Sequence, residues 1–345
     1  MGLKIGFIGA GNMAFGLIKG IINNNKNTKD IGVAIYDPSL ERQAFMKDSF
    51  AVAILNSVGE IIENSDIIFI AVKPNVVADV LNIAADTILH MSHKIFGGNE
   101  NNKKVNTINI SDNNIADNNL AQNFELGNNG AHENDRNNEN NKNKDKNSDN
   151  FSAHKTKDII FVSIAGGVKI ETIDKLFYEK FHGKYNPKII RIMPNINSLV
   201  GKGMSAVCYN DAVNEGDYNK VKNILEMSSK VLTIEEKYFD AVTAVSGSGP
   251  AYLFLIAEGF IEAAVKLGLP RNTASILAIQ TILGSGELLN SEEFSKYSTK
   301  DLKDLVTSPG GTTAYGLSKL EEGRIKYVID SAVNAAYLRS KELGN

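Results

Sequence analysis

The chain has 345 residues, 43% of them apolar, with 37 basic against 40 acidic side chains and a formal net charge of −3. That length suffices for two ordinary domains with a sizeable core, and the near balance of charge lacks the basic stripe that nucleic-acid binding requires, so no nucleic-acid partner is expected. The one cysteine, Cys208, cannot close an internal disulfide; a reducing compartment, the cytoplasm, is expected.

The fold-like pattern begins at Leu3, which leaves no room for a signal peptide. A myristoylation start fails because position 6 is Gly6 rather than Ser or Thr. The apolar stretch Ala251 to Val265 carries Glu258 and Glu262 and reads as too short and too charged to span a bilayer, so no membrane partner is expected.

In chain order, Leu3–Ile8 reads as a strand and Asn12–Ile22 as a helix. Between them lies Gly9-Ala10-Gly11-Asn12-Met13-Ala14, with small residues at the three positions of G-x-G-x-x-G/A. The first allows the tight turn, the second lets a pyrophosphate approach the backbone, and the third lets helix and strand pack. Free N–H groups at the helix start would hold phosphate; the alternative is a plain tight turn.

Gly32–Tyr36 is the next strand, followed by a helix from Leu40. Asp37 between them is placed to bond an adenosine ribose 2′-hydroxyl, which leans toward NADH, though Asp before Pro38 is also an ordinary turn former. Ile67–Val72 is continuously apolar, as a strand buried on both faces should be. The loop Ala71-Val72-Lys73-Pro74-Asn75 then lies at the carboxyl edge of a parallel sheet, where ligands bind. Lys73 is either an anion partner there or a solvated lysine.

From Asn99 to Asn150, 20 of 52 residues are Asn. Such a stretch cannot bury enough apolar surface to offset its ordering entropy. About 91–157 is therefore expected to be a disordered insertion, tolerated because loop closure costs grow slowly with length.

The alternation then resumes. Ile159–Ile164, Lys188–Ile192, Met204–Cys208 and Lys230–Ile234 read as strands, with helices at Glu171–Tyr178 and Glu215–Ser228. Strands alternating with helices predict a parallel sheet. Ala165, Gly166 and Gly167 follow the fifth strand and either leave room for a nicotinamide or substrate or form a bare turn. Beyond 237 the pattern is helical throughout: about 237–244, 250–267, 272–289, 300–306, 312–322 and 324–343. Two loops punctuate it, Ser246-Gly247-Ser248-Gly249-Pro250 and Ser308-Pro309-Gly310-Gly311-Thr312-Thr313. Each precedes a helix, and the second sets hydroxyls and N–H groups at a helix start, a site for a carboxylate or else a simple cap.

In this order GFIGAGNMA (from Gly6), AVKPN (from Ala71), SIAGGV (from Ser163), RIMPN (from Arg191), AVSGSGPAY (from Ala244) and LVTSPGGTTAYGL (from Leu305) resemble pyrroline-5-carboxylate reductase. The resemblance covers nearly the whole chain outside the Asn-rich insertion. It implies an N-terminal, mostly parallel Rossmann-type α/β domain, residues 1–236, that binds NADH or NADPH. An all-helical substrate-binding and dimerisation domain, 237–345, is implied to follow it. It implies a homo-oligomer, a dimer or a decamer built from dimers, that reduces the small molecule Δ1-pyrroline-5-carboxylate to proline.

By motif match, Ser308, Gly310, Gly311 and Thr312 hold the substrate carboxylate, and Thr313 faces the ring nitrogen as the catalytic hydroxyl. Ala165 and Gly166 flank the substrate. Gly9, Gly11, Asn12, Met13, Asp37, Asn56, Ala71, Val72, Lys73, Pro74 and Asn195 line the cofactor site. Asp37 departs from the small or basic residues of NADPH-preferring relatives, and Gly166 from the alanine of SIAAGV.

A cyclic imine protonates near neutral pH, so the reaction needs positioning more than acid–base groups, and no metal is expected; His90, His93 and His182 read as surface residues. The competing reading is a β-hydroxyacid-type dehydrogenase, which would need a lysine base such as Lys266.

Overall fold

The computed structural model describes residues 2–24, 31–95 and 157–344. The apolar runs form eight strands: β1 Leu3–Ile8, β2 Ile31–Tyr36, β3 Ala53–Ile54, β4 Ile67–Ile70, β5 Ile160–Ser163, β6 Lys188–Met193, β7 Gly203–Tyr209 and β8 Ser229–Thr233. They make one sheet in the order β3-β2-β1-β4-β5-β6-β7-β8. Every pairing from β3 to β6 is parallel. β4 and β5 are buried at every position, which is why they read as unbroken apolar runs.

The helices of this half are α1 Asn12–Asn24, α2 Leu40–Ser49, α3 Val58–Asn64, α4 Val77–Ile95, α5 Ile170–Phe181 and α6 Glu215–Glu226. They divide between the two faces of the sheet. One core joins α3, α4 and α5 to the sheet through Ile61, Leu81, Ile173 and Phe177. The other gathers Leu17, Ile21, Met46 and Leu225 from α1, α2 and α6. Phe7 and Phe69 stack across β1 and β4 at 4.6 Å between ring centres. Ser39 caps α2 and Ser57 caps α3, each accepting a backbone N–H three residues on, which satisfies donors that the first helical turn leaves open.

Four features differ from the expected elements. β7 runs antiparallel to β6: only the short 3-10 turn Ile196–Val200 joins them, and a parallel crossover needs a dozen or more residues. β3, with two residues, is too short to show a period. The strand expected over 67–72 ends at Ile70, because Pro74 opens a 3-10 turn at Lys73. Helix α4 continues to Ile95, past residue 91 where the insertion was expected to begin; residues 96–156, which hold the rest of it, lie outside the described residues.

After Glu236 the described residues carry no strand. α7 Phe239–Val242 passes through a π-helical turn, Thr243–Gly247, into α8 Gly249–Lys266. α9 Arg271–Asn290, α10 Thr299–Leu305, α11 Thr312–Glu322 and α12 Ile325–Leu343 follow. Because the π turn does not interrupt the run, Glu236–Lys266 is long and apolar enough, by length and composition, to cross a membrane, unlike the shorter stretch 251–265.

The helical half is pinned to the sheet at one corner. Arg191 on β6 pairs with Glu236 at 2.7 Å and lies over the Phe239 ring at 4.7 Å. Glu236 also accepts the Ile170 N–H at the start of α5. α12 returns against α7 and the π turn, where Ser340 bonds Asp240 at 2.7 Å.

Candidate active site

The strand order reverses at β1, which has β2 on one side and β4 on the other. Ligands of open parallel sheets bind outside the carboxyl ends of the strands at such a point. Three segments converge there: the glycine loop after β1, Asp37 after β2 and the 71–74 loop after β4. The Gly9 N–H donates to Tyr36 O and the Ala71 N–H to Ile8 O, both at 2.8 Å, which ties the three strand ends together.

Gly9 has φ +93°, and a Cβ there would stand 2.6 Å from Ala71 O. Only glycine fits both the left-handed backbone and the close approach. Ala14 is fully buried between helix and sheet. Gly11 is different: a Cβ on it would meet nothing within 4 Å. The space above Gly11 is open, and the N–H groups of Gly11, Asn12 and Met13 donate to no protein group among the described residues. A helix start with free donors and an open approach fits a dinucleotide pyrophosphate.

Asp37 faces the glycine loop. One carboxylate oxygen accepts the Ala10 N–H at 2.7 Å and the other accepts the Ser39 N–H at 3.0 Å. Beside it lies Arg42, a residue the sequence reading passed over. Its Nε donates to Ala10 O and its Nη2 to Asn12 Oδ1. Asn56 follows β3 at the same sheet edge, but its side chain and N–H bond Glu60. Val72 is half-buried, while Lys73 and Pro74 are exposed at the rim.

The next two strand ends carry the remaining sheet residues. Ala165 is buried and Gly166 exposed after β5. A Cβ on Gly166 would meet nothing within 4 Å, so the alanine of SIAAGV would fit as well. Asn195, after β6, is 7% exposed and engaged at both ends of its amide. Its Nδ2 donates to Ser246 O at 3.1 Å and its Oδ1 accepts the Met204 N–H at 3.0 Å. It therefore brackets the π turn against the sheet instead of presenting its amide to a cofactor. In that turn the Ser246 hydroxyl is buried with no hydrogen-bond partner among the described residues. π turns inserted in α-helices recur at functional sites.

The Ser308–Thr313 segment turns sharply at Gly310, with φ +69°, and closes by a Gly311 N–H bond to Ser308 O at 3.0 Å. Gly311 occupies the N-cap of α11, so no side chain bonds the first N–H groups of that helix. They remain available to a carboxylate, with the Thr312 and Thr313 hydroxyls beside them. α11 packs on α12, and no hydrogen bond among the described residues joins 308–313 to the glycine loop. The single chain thus brings together the strand-end residues and Ser246, and ties the 308–313 turn to them by no hydrogen bond among the described residues.

Two other nucleophile or base candidates fall away. Cys208 is buried on β7, and burial first, then the Glu236 charge, pushes its thiol up to about 12, so no thiolate forms near neutral pH. Lys266 is the exposed last residue of α8, outside the strand-end cluster. His90 and His182 are exposed; the side chain of His93 lies outside the described residues.

Comparison with known proteins agrees with this geometry. Residues 236–343 match the model for pyrroline-5-carboxylate reductase dimerisation. Residues 4–95 match that for NADP oxidoreductase, coenzyme F420-dependent. The chain is 30% identical to pyrroline-5-carboxylate reductase 3 of Danio rerio, over 99% of this chain and 92% of that one. It is also 30% identical to the pyrroline-5-carboxylate reductase of Arabidopsis thaliana, over 99% and 95%. The crystal structure of Plasmodium falciparum pyrroline carboxylate reductase with NADP bound superposes with a TM-score of 0.70 at 29% identity, covering 99% of this chain and 98% of that one.

Proposed function

This chain belongs to the pyrroline-5-carboxylate reductase family, and on that premise we infer that it reduces the C=N bond of Δ1-pyrroline-5-carboxylate to give proline, with NADH or NADPH as reductant. The hydroxyacid dehydrogenase reading is not favoured, since the relatives that match nearly the whole chain are pyrroline-5-carboxylate reductases. The sheet half, about 1–236, is the dinucleotide-binding domain and 237–345 the substrate-binding and dimerisation domain. The reduced nicotinamide supplies the hydride. This chain's part is to bind and orient.

Gly9, Gly11, Asn12 and Met13 offer the pyrophosphate a tight turn with unspent N–H donors. Ala71, Val72, Lys73 and Pro74 form the opposite wall, with Asp37 and Asn56 toward the adenosine and Asn195 holding the Ser246 turn in place. Ala165 and Gly166 leave the sheet edge flat where a planar ring must lie.

The single observation that carries the substrate reading is the glycine N-cap of α11. Its uncapped donors, with Ser308, Gly310, Gly311 and Thr312 around them, are a carboxylate cradle. The Thr313 hydroxyl, in the first turn of the same helix, donates to or accepts from the ring nitrogen and steers its proton. Fixing the carboxylate fixes which face of the imine meets the hydride donor. Because no hydrogen bond among the described residues ties the 308–313 turn to the strand-end cluster in one chain, and the helical half matches a dimerisation model, the complete site draws this turn from a second copy. The protein is a homo-oligomer, a dimer or a decamer built from dimers, acting on a small molecule in the cytoplasm without nucleic-acid or membrane partners.

The test is a steady-state assay with pyrroline-5-carboxylate and each reduced cofactor. Turnover is expected with the imine and none with hydroxyacids. Turnover of a hydroxyacid but not the imine would overturn the assignment.

A further inference from the structure

How the adenosine end of the cofactor is told apart rests on the reading of the glycine loop as the dinucleotide site. An acid at the end of the second strand accepts a ribose 2′-hydroxyl and repels a 2′-phosphate. Asp37 stands at that point, yet part of its carboxylate's accepting capacity is taken by the protein. Both oxygens already accept backbone N–H groups, from Ala10 at 2.7 Å and Ser39 at 3.0 Å. Its own carbonyl accepts Gln43 Nε2 at 2.6 Å. These bonds aim the carboxylate at the glycine loop and spread its charge over two peptide dipoles.

Arg42 has the opposite economy. It leaves the first turn of α2 and folds back across 30 residues of sequence to lie along the glycine loop. Nε donates to Ala10 O and Nη2 to Asn12 Oδ1 at 3.3 Å. The guanidinium carbon sits 4.8 Å from the centre of the Phe45 ring, which holds the plane from one side. Its partners are thus neutral acceptors and a ring face; no carboxylate forms an ion pair with it among the described residues. A guanidinium has five N–H donors, and two are used here. A held, half-buried planar cation with no direct carboxylate partner among the described residues is suited to a phosphate dianion, which guanidinium binds with two parallel hydrogen bonds.

We propose that Arg42 selects the phosphorylated dinucleotide in this chain by receiving the adenosine 2′-phosphate of NADPH, while Asp37 serves as the clamp of the glycine loop. Asp37 keeps lone pairs for a ribose hydroxyl, so NADH also binds, more weakly.

Isothermal titration of the full chain with NADPH and NADH, and with 2′,5′-ADP and 5′-ADP as fragments, tests it without reference to turnover. The wild type is expected to bind the 2′-phosphorylated member of each pair more tightly. Arg42→Ala should weaken NADPH and 2′,5′-ADP about 10- to 100-fold, the range for losing a charged hydrogen-bond partner, and change NADH less than about three-fold. Arg42→Lys should fall between. Equal weakening of both cofactors would show that Arg42 only braces the loop, and an unchanged NADPH affinity or a wild type that prefers NADH would equally overturn the proposal. A folded wild type that binds neither dinucleotide would instead bring down the glycine-loop reading beneath it.

Discussion

Gly9 and Gly11 lie two residues apart and are glycine for different reasons. At Gly9 the demand is internal: φ is +93° and Ala71 O occupies the place of a Cβ. Gly9→Ala should cost about 2–4 kcal/mol of stability, from left-handed strain plus the forced shift of the 71–74 loop, seen as a lower melting temperature. At Gly11 the protein leaves the space open, so the demand comes from the ligand. Gly11→Ala should leave the melting temperature nearly unchanged and weaken NAD(P)H binding at least about ten-fold. Equal effects of the two substitutions on stability would contradict this division.

Thr313 belongs to a third kind, a hydroxyl in the first turn of α11 that no protein group caps. Thr313→Ala should lower kcat about 10²-fold or more, as loss of a proton-steering group does, with NAD(P)H affinity intact by titration; parallel loss of both would remove its assigned role. The small residues and loop ends of this site were readable because tight turns at strand ends have few sequence solutions. Arg42 was not, since its place depends on a side chain crossing back to Ala10 and Asn12. Nor was the commitment of Asn195, whose two partners lie on β7 and the π turn.

Among the elements, β6 and α6 meet through a charge cluster buried at the sheet's far side. The Asp217 side chain is 4% exposed and lies 2.7 Å from Lys188 and 3.1 Å from Lys220. Burial alone would raise its carboxyl, but hydrogen bonds from the two lysines outweigh that and hold it below the ordinary carboxylate range. The folded state therefore binds fewer protons than the unfolded chain at acid pH. The stabilisation is complete above the ordinary carboxylate pKa, near 4, and is lost as pH falls through the lower folded value. Asp217→Asn should cost about 1–3 kcal/mol at pH 7 by removing the charged acceptor that Lys188 and Lys220 share, while Lys188 keeps its 2.7 Å pair with Asp158. Denaturant titrations from pH 7 down to 3 should show a flatter decline in the variant, and a parallel decline would refute the linkage.

Elements of this kind were legible to the degree that burial imposes a period. β4 and β5, apolar throughout, announced themselves. The reversal of β7 did not, because direction is set by the five-residue 3-10 turn before it and not by the strand's own residues. The π turn was equally hidden, for Ser246-Gly247-Ser248-Gly249-Pro250 reads as a loop between two helices while the chain stays helical through it.

For the whole molecule, the helical half is the part that one chain leaves unfinished. α8 is apolar around much of its circumference, yet Pro250 is its one buried residue. Leu253, Phe254 and Leu255 are each more than half exposed. Three consecutive side chains span some 200° of a helix, so α9 alone cannot cover them. A helix apolar on all sides must be enclosed by protein or lipid. The match of 236–343 to a dimerisation model makes the enclosing element a second copy, the copy from which the proposed site draws its 308–313 turn. Phe254→Glu should then shift the wild-type oligomer toward monomer in analytical ultracentrifugation and lower turnover at least about ten-fold. Titrated NAD(P)H affinity should hold, because the glycine loop belongs to the half that folds around the sheet. Co-sedimentation of the wild type with lipid vesicles, and a variant that stays oligomeric and active, would mean that α8 is enclosed by lipid and that the 308–313 turn completes the site without a second chain.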